Sequence, residues 1–274
     1  MMRSASRQAL AALREREDEV LGARASVATL TAVADELYAV AALLVAQPRL
    51  RRTLGDPAAT PERRAGLLQN LLEGKVGRQA LDIASTAVSE RWSTPWDLTD
   101  ALESAGDDAL FAAAEKDGSF DRIEDELFRF ERIAGNEGEL AVVLDETTVP
   151  ASRRVEFLDR LVADKVSPIT LALLRHAVAS QRKRNIELAI DDLLERAAQH
   201  RHRSVARVIS AVPLSEQQED RLARALSDLY GRPISVRSAL DPDIRGGLVV
   251  RVGDEIIDGS VAGRFAAARA AVAG

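Results

Sequence analysis

Sliding the sequence along itself by 90 positions lays residues 54–92 over residues 144–182 without a gap. Ten pairs are identical: Leu54, Arg63, Arg64, Leu68, Leu71, Lys75, Val76, Leu81, Ala87 and Val88 match Leu144, Arg153, Arg154, Leu158, Leu161, Lys165, Val166, Leu171, Ala177 and Val178. Composition alone gives about 4 such matches in a chain this rich in Ala, Leu and Arg. Five of the ten identities fall on apolar helix positions. Glu36-Leu37-Tyr38 stands opposite Glu126-Leu127-Phe128 in the same register. One helical bundle present twice is the architecture this repeat dictates.

The rest of the pattern agrees with helices. The chain is 46% hydrophobic but only 4% aromatic, so its core is built from Ala and Leu, which cost least in a helix. Residues 5–47 read as helical, with Leu10, Leu13 and Val20 on one stripe and Leu30, Val33, Leu37, Val40 and Leu44 on a second, ended by Pro48. Thr60-Pro61-Glu62 is a helix start, with Thr as cap and Pro where its missing amide costs nothing. A further helix covers 78–91. Ser93-Thr94-Pro95, flanked by Trp92 and Trp96, then reads as a hinge between the copies, its indoles packed at the joint rather than stacked on a ligand. The second copy begins near Gly106 and ends in a helix over 186–200, with Ile186, Leu188, Ile190, Leu193 and Leu194 as its apolar positions.

After Arg203 the period changes. Residues 205–210 read as a strand, and Ser215-Glu216-Gln217-Gln218 as a capping box opening a helix with Leu222, Leu226 and Leu229 on one face. Ile234, Val236, Ser238 and Leu240 alternate as in a half-buried strand. Gly246-Gly247 precedes an apolar strand over 248–252, Gly253-Asp254 turns the chain into a return strand over 255–258, and Ser260 caps a helix over 261–273. The fold class is mainly α with a small α/β domain: two tandem helical bundles, 1–99 and 100–203, then a strand-helix-strand-hairpin-helix domain over 204–274, whose crossover is right-handed by rule.

Chemistry is sparse. The C-terminal glycines lack phosphate-loop spacing, and Asp254 and Asp258 repel an anion, which favours an architectural role. His200 and His202 stand two apart, on different sides of a helix, which disfavours a metal. Arg182-Lys183-Arg184 and residues 201–207 are basic, but Glu187, Asp191, Asp192 and Glu195 interleave and no aromatic platform accompanies them. A solvated face or a docking surface for acidic helices is the better reading than an RNA grip. A net charge of -6 argues against nucleic acid, and zero cysteines exclude disulfides and thiolate chemistry. The N-terminus has no signal-peptide core, and the longest uncharged run, 37–48, falls short of the ~20 residues of a membrane span. The residues alone describe a non-catalytic interaction protein without cofactor or metal. The alternative reading is a cytoplasmic helical adaptor or an RNA-associated interaction protein.

Two strings are more specific. Asp241-Pro242, Gly246-Gly247, Gly253-Asp254 and Ile257-Asp258-Gly259-Ser260, with Arg264 beyond, resemble the C-terminal signature of the δ subunit of F-type ATP synthases, related to the mitochondrial oligomycin-sensitivity-conferring protein. Ser210-Ala211-Val212-Pro213-Leu214-Ser215 resembles that family's second signature; Arg245 departs from a position usually apolar. The resemblance covers about residues 106–274 and implies a peripheral-stalk subunit, present once per complex. It implies attachment at the cytoplasmic face of the membrane through the complex, with no insertion of its own. Its implied partners are the N-terminal helix of an α subunit, held by the helical domain, and the C-terminus of the b subunit, held by the last domain. In the family the α groove lies between the first and fifth helices of the bundle. That makes Leu110, Phe111, Leu174 and Val178 its expected walls in the second copy.

Overall fold

The computed structural model of the chain describes residues 4–22, 25–180, 185–230, 234–241, 244, 246–252 and 255–259. They divide into two compact units, Met1–Ala197 and Ala198–Gly274.

The first unit is helical throughout its described residues. In order it contains α1 (Ser4–Leu21), α2 (Val27–Ala46), α3 (Pro48–Leu54), α4 (Pro61–Leu72), α5 (Arg78–Ser89) and α6 (Pro95–Asp117). These are followed by α7 (Phe120–Asn136), α8 (Gly138–Asp145), α9 (Ala151–Val162), α10 (Pro168–Ala179) and α11 (Ile186–Ser204), whose residues up to Ala197 belong here. The starts are chemically marked. Thr60, Thr94 and Ser167 accept from the amides of Arg63, Asp97 and Thr170, each followed by proline at the first helical position.

Helix bounds keep the 90-residue offset: Ala46 against Asn136, Pro48 against Gly138, Pro61 against Ala151, Leu72 against Val162, Ser89 against Ala179. The identical pair Arg64 and Arg154 does the same work twice. Arg64 donates to the carbonyls of Ser89 and Glu90 at 3.0 and 2.8 Å, closing the end of α5. Arg154 donates to the carbonyls of Val178 and Leu144, both at 2.9 Å, closing the ends of α10 and α8. Glu126 accepts from the Ser167 amide (2.8 Å) and the Thr170 hydroxyl (2.6 Å) at the start of α10, while its counterpart Glu36 lies over Gly77 at the start of α5. Burial pushes the Glu126 carboxyl up, but bonds from Thr170, Ser167 and Arg122 outweigh it and hold it below the ordinary range.

Four expectations change. Pro48 ends α2 but also opens a short helix, α3, because a proline is as acceptable in a first turn as it is disruptive inside one. Residues 92–95 are not a hinge between bundles. Trp92 is buried and donates to the Ala87 carbonyl at 2.7 Å, Trp96 lies under the Arg51 guanidinium at 3.4 Å, and Pro95 starts α6 rather than breaking a helix. The division at 99/100 falls inside α6, and one apolar core runs from Ala9 to Ala197 across it. On α11 the buried stripe is Ile186, Ile190, Leu193 and Ala197, which leaves Leu188 exposed.

α2 is long and apolar enough to cross a membrane by length and composition. Here it is a core helix: Leu30, Val33, Leu37, Val40 and Leu44 are all buried, and it packs on α3, α5 and above all α6.

In the second unit β1 (Val205–Ser210), β2 (Ser235–Leu240), β3 (Leu248–Val252) and β4 (Glu255–Asp258) form one sheet in the order β2-β1-β3-β4, with α12 (Glu216–Tyr230) connecting β1 to β2. β1 pairs parallel with β2 and antiparallel with β3; β3 pairs antiparallel with β4, Val252 opposite Glu255. The capping box is present, with Ser215 and Gln218 each bonding the other's amide. Ala206, Val208, Leu226, Ile234, Val250 and Val252 make a separate core. Its α12 stripe is Leu222, Leu226 and Tyr230, spaced by four; Leu229 and, on the edge strand β2, Leu240 are exposed.

Candidate docking surfaces and the helix between the bundles

The four expected groove walls are placed together, but inward. Leu110 and Phe111 on α6 and Leu174 and Val178 on α10 are all 0% exposed, and Phe111 meets Phe120 of α7 with ring centroids 5.8 Å apart. They are core of the second bundle and offer no face to a partner. Their apolar character is what the sequence displayed, and a core position and a groove wall look alike at that level.

α2 meets α6 and α10 close to these residues. Tyr38 of α2 crosses α6 at Gly106 and stacks on His176 of α10, ring centroids 3.6 Å apart and planes 10° apart. A Cβ at Gly106 would lie 2.4 Å from Tyr38 Cε1, so the crossing requires glycine. The Tyr38 hydroxyl donates to Asp107 Oδ1 at 2.6 Å, and Arg196 of α11 donates to Asp107 Oδ2 at 3.0 Å. Next along α6, Asp108 takes Arg14 of α1 at 3.3 Å, and Glu103 accepts from Ser180 just past α10 at 2.7 Å. Three acids on one helix thus hold α1, α2, α11 and the residue that follows α10.

Burial pushes the Asp107 carboxyl up to about 6 against the pull of Arg196 and the Tyr38 hydroxyl; burial, reinforced by Asp107, likewise pushes the Tyr38 phenol up. The folded-state value exceeds the unfolded one, so this group's contribution to stability is full below about pH 4 and is lost as pH rises through about 6. Two units amount to about 3 kcal/mol. In urea titrations at acid and neutral pH, Asp107→Asn is expected to remove that part of the pH dependence.

None of Tyr38, Gly106 or Asp107 was singled out by sequence reasoning. The available signal is a glycine followed by two adjacent acids, Gly106-Asp107-Asp108, in the Ala-rich middle of α6. The corresponding seam of the first bundle, α1 against α5, differs. Arg16 and Asp82 bridge it at 2.7 Å with side chains 39% and 41% exposed, beside half-buried Leu10 and Leu81.

The signature residues of the second unit close the ends of its sheet. Ser210, last in β1, donates from its hydroxyl to the Val212 carbonyl at 2.6 Å and accepts from the Asp241 amide at 2.9 Å. Ala211 and Pro213 continue the turn, and Leu214 packs on the core. Gly246 and Gly247, at φ 84° and 87°, hold the left-handed conformation that leads into β3. Asp258 pairs with Val249, and the Gly259 amide donates to the Leu248 carbonyl at 2.9 Å. Gly253, Asp254 and Ser260, the helix expected over 261–273 and the basic run 182–184 lie outside the described residues. Among the described residues no His, Cys, Asp or Glu group is arranged to hold a metal.

Residues 108–272 match the family model described as ATP synthase delta (OSCP) subunit. The chain belongs to that family. "ATP synthase subunit delta" of Streptomyces griseus subsp. griseus is 45% identical over 273 residues, all of both chains, and that of Acidothermus cellulolyticus is 42% identical over 98% of each. "ATP synthase subunit b-delta" of Mycobacterium sp. (strain KMS) is 42% identical over 97% of this chain and 60% of its own. A chain of the Toxoplasma gondii mitochondrial ATP synthase hexamer matches 61% of this chain and 95% of its own at 21% identity and a TM-score of 0.30, too low to carry an argument. The delta relatives extend through the first bundle as well as the family-model region.

Proposed function

We propose that this chain is a non-catalytic peripheral-stalk subunit of a proton-translocating F-type ATP synthase, one copy per complex, on the cytoplasmic face of the membrane. It ties the catalytic head, through the α subunit, to the b-subunit stalk, so that torque from the rotor drives synthesis instead of turning the head. The observation that carries this reading is the end-to-end match to δ subunits. The b-delta relative, whose name joins the two subunits in one chain, supports b as a neighbour.

In this reading residues 1–99 and 100–203 are copies of one bundle, which the constant helix offset supports, and the 204–274 domain meets b through the surroundings of its signature residues. The α-subunit helix docks on the first bundle, at α1 and α5. Leu110, Phe111, Leu174 and Val178 are fully enclosed in the second bundle, whereas the Arg16–Asp82 bridge between α1 and α5 is partly exposed to solvent. An amphipathic helix laid in such a seam is a common recognition mode.

Co-purification from membranes tests the assignment: recovery with α and b is expected, and recovery with RNA or neither subunit overturns it. Titrating an α N-terminal peptide against Asp82→Lys and its 90-offset counterpart Ala172→Lys tests the copy. Loss confined to Asp82→Lys is expected; loss confined to Ala172→Lys returns docking to the second bundle.

A further inference from the structure

We infer that Asp107 is a proton-sensitive clasp: its ionised carboxylate holds α11 to α6 through Arg196, and protonation loosens α11 while α2 stays in place. The carboxylate sits in the middle of α6, 3% exposed, with one oxygen on each bundle's contribution. The charged and titratable groups around it are Tyr38 from α2, His176 from α10 behind the Tyr38 ring, Arg196 from α11, and Glu103 and Asp108 from α6 itself, with Arg14 of α1 on Asp108.

The two arms respond differently to a proton. Tyr38 is held by stacking on His176 and by its fit over Gly106, neither of which needs charge, and its hydroxyl, though it bonds the ionised carboxylate more strongly, still has a carbonyl oxygen to donate to in the protonated acid. Arg196 is held by a charge-assisted bond, roughly twice as strong to the ionised form. Arg196 also draws the Asp107 carboxyl down against burial. By reciprocity, ionised Asp107 favours docked Arg196. With α11 lifted, the carboxylate remains under α2 and loses its cation, so local opening takes up a proton. Acid therefore loosens α11, although global unfolding responds to pH with the opposite sign. The arrangement belongs to the junction and is not repeated: 90 positions away, Tyr38, Asp107 and His176 become Phe128, Glu17 and Thr86, and Phe128 is exposed.

Hydrogen exchange on the full chain, corrected for intrinsic rates, reads this directly. Between about pH 7.5 and about pH 5, protection of α11 amides is expected to fall about tenfold relative to α4, one pKa unit of coupling, with α2 unchanged. Asp107→Asn is expected to show the low protection at both pH values. Protection of α11 that is flat or rises in acid, a parallel loss from α2, or an acid-induced drop that persists in Asp107→Asn each overturns the inference. If Asp107→Asn does not fold by circular dichroism, Tyr38→Phe serves. It removes a hydrogen bond that favours the ionised form, so the midpoint is expected to move to higher pH, and an unmoved midpoint overturns the clasp.

Discussion

Val178→Asp unfolds the second bundle. The side chain is fully enclosed, its carbonyl is one of the two that Arg154 satisfies, and no water reaches the site to solvate a carboxylate. An unpaired buried charge costs several kcal/mol, about as much as an entire domain's stability margin. Val88→Asp, 90 positions earlier and equally enclosed, is expected to do the same. Circular dichroism and urea titration of the two variants check this. Folded variants with near-normal midpoints would show that these positions have access to solvent and restore them as candidate groove walls.

Gly106→Val is expected to cost about 3 kcal/mol, at the upper end for overpacking. In an exposed helix the change would gain from replacing glycine, so the sign itself is informative. The added carbons meet the Tyr38 ring, which cannot retreat without giving up His176 and Asp107. The companion double variant, Gly106→Val with Tyr38→Ala, removes the obstacle and is expected to recover much of the loss in excess of Tyr38→Ala alone. Additive effects would mean that ring and glycine are not coupled.

Local chemistry makes most of the fold legible in the sequence. Thr60-Pro61 and the Ser215–Gln218 box act at short range, and both are found as read. The strands over 205–210, 248–252 and 255–258 follow from β-branched runs between turn residues. α3 and α8 escaped notice because seven or eight residues hold too few apolar positions to establish a period. Leu188, Leu229 and Leu240 were put on buried faces because hydrophobicity does not say which side of an element has a neighbour; all three are exposed.

The candidate site was less legible for the same reason. Leu110, Phe111, Leu174 and Val178 were correctly apolar and adjacent, but whether such residues line a groove or fill an interior depends on what packs over them. Here α6 is packed by α2, a helix more than sixty residues from Leu110 in sequence. The Tyr38 crossing needs three residues from two helices at once, and no single window of the chain contains them.

A helix that completes one bundle and begins the next also determines what can be cut away. α6 turns Leu98, Ala101, Leu102, Ala105 and Ala109 into the common interior, and almost no side of its middle is left for water. A chain starting at residue 100 would begin partway along α6 and lay Ala105, Gly106 and Ala109 bare, with Asp107 stripped of its phenol. Residues 1–99 therefore cannot be removed without exposing the middle of α6. Truncation there would yield a sticky fragment rather than a smaller working subunit.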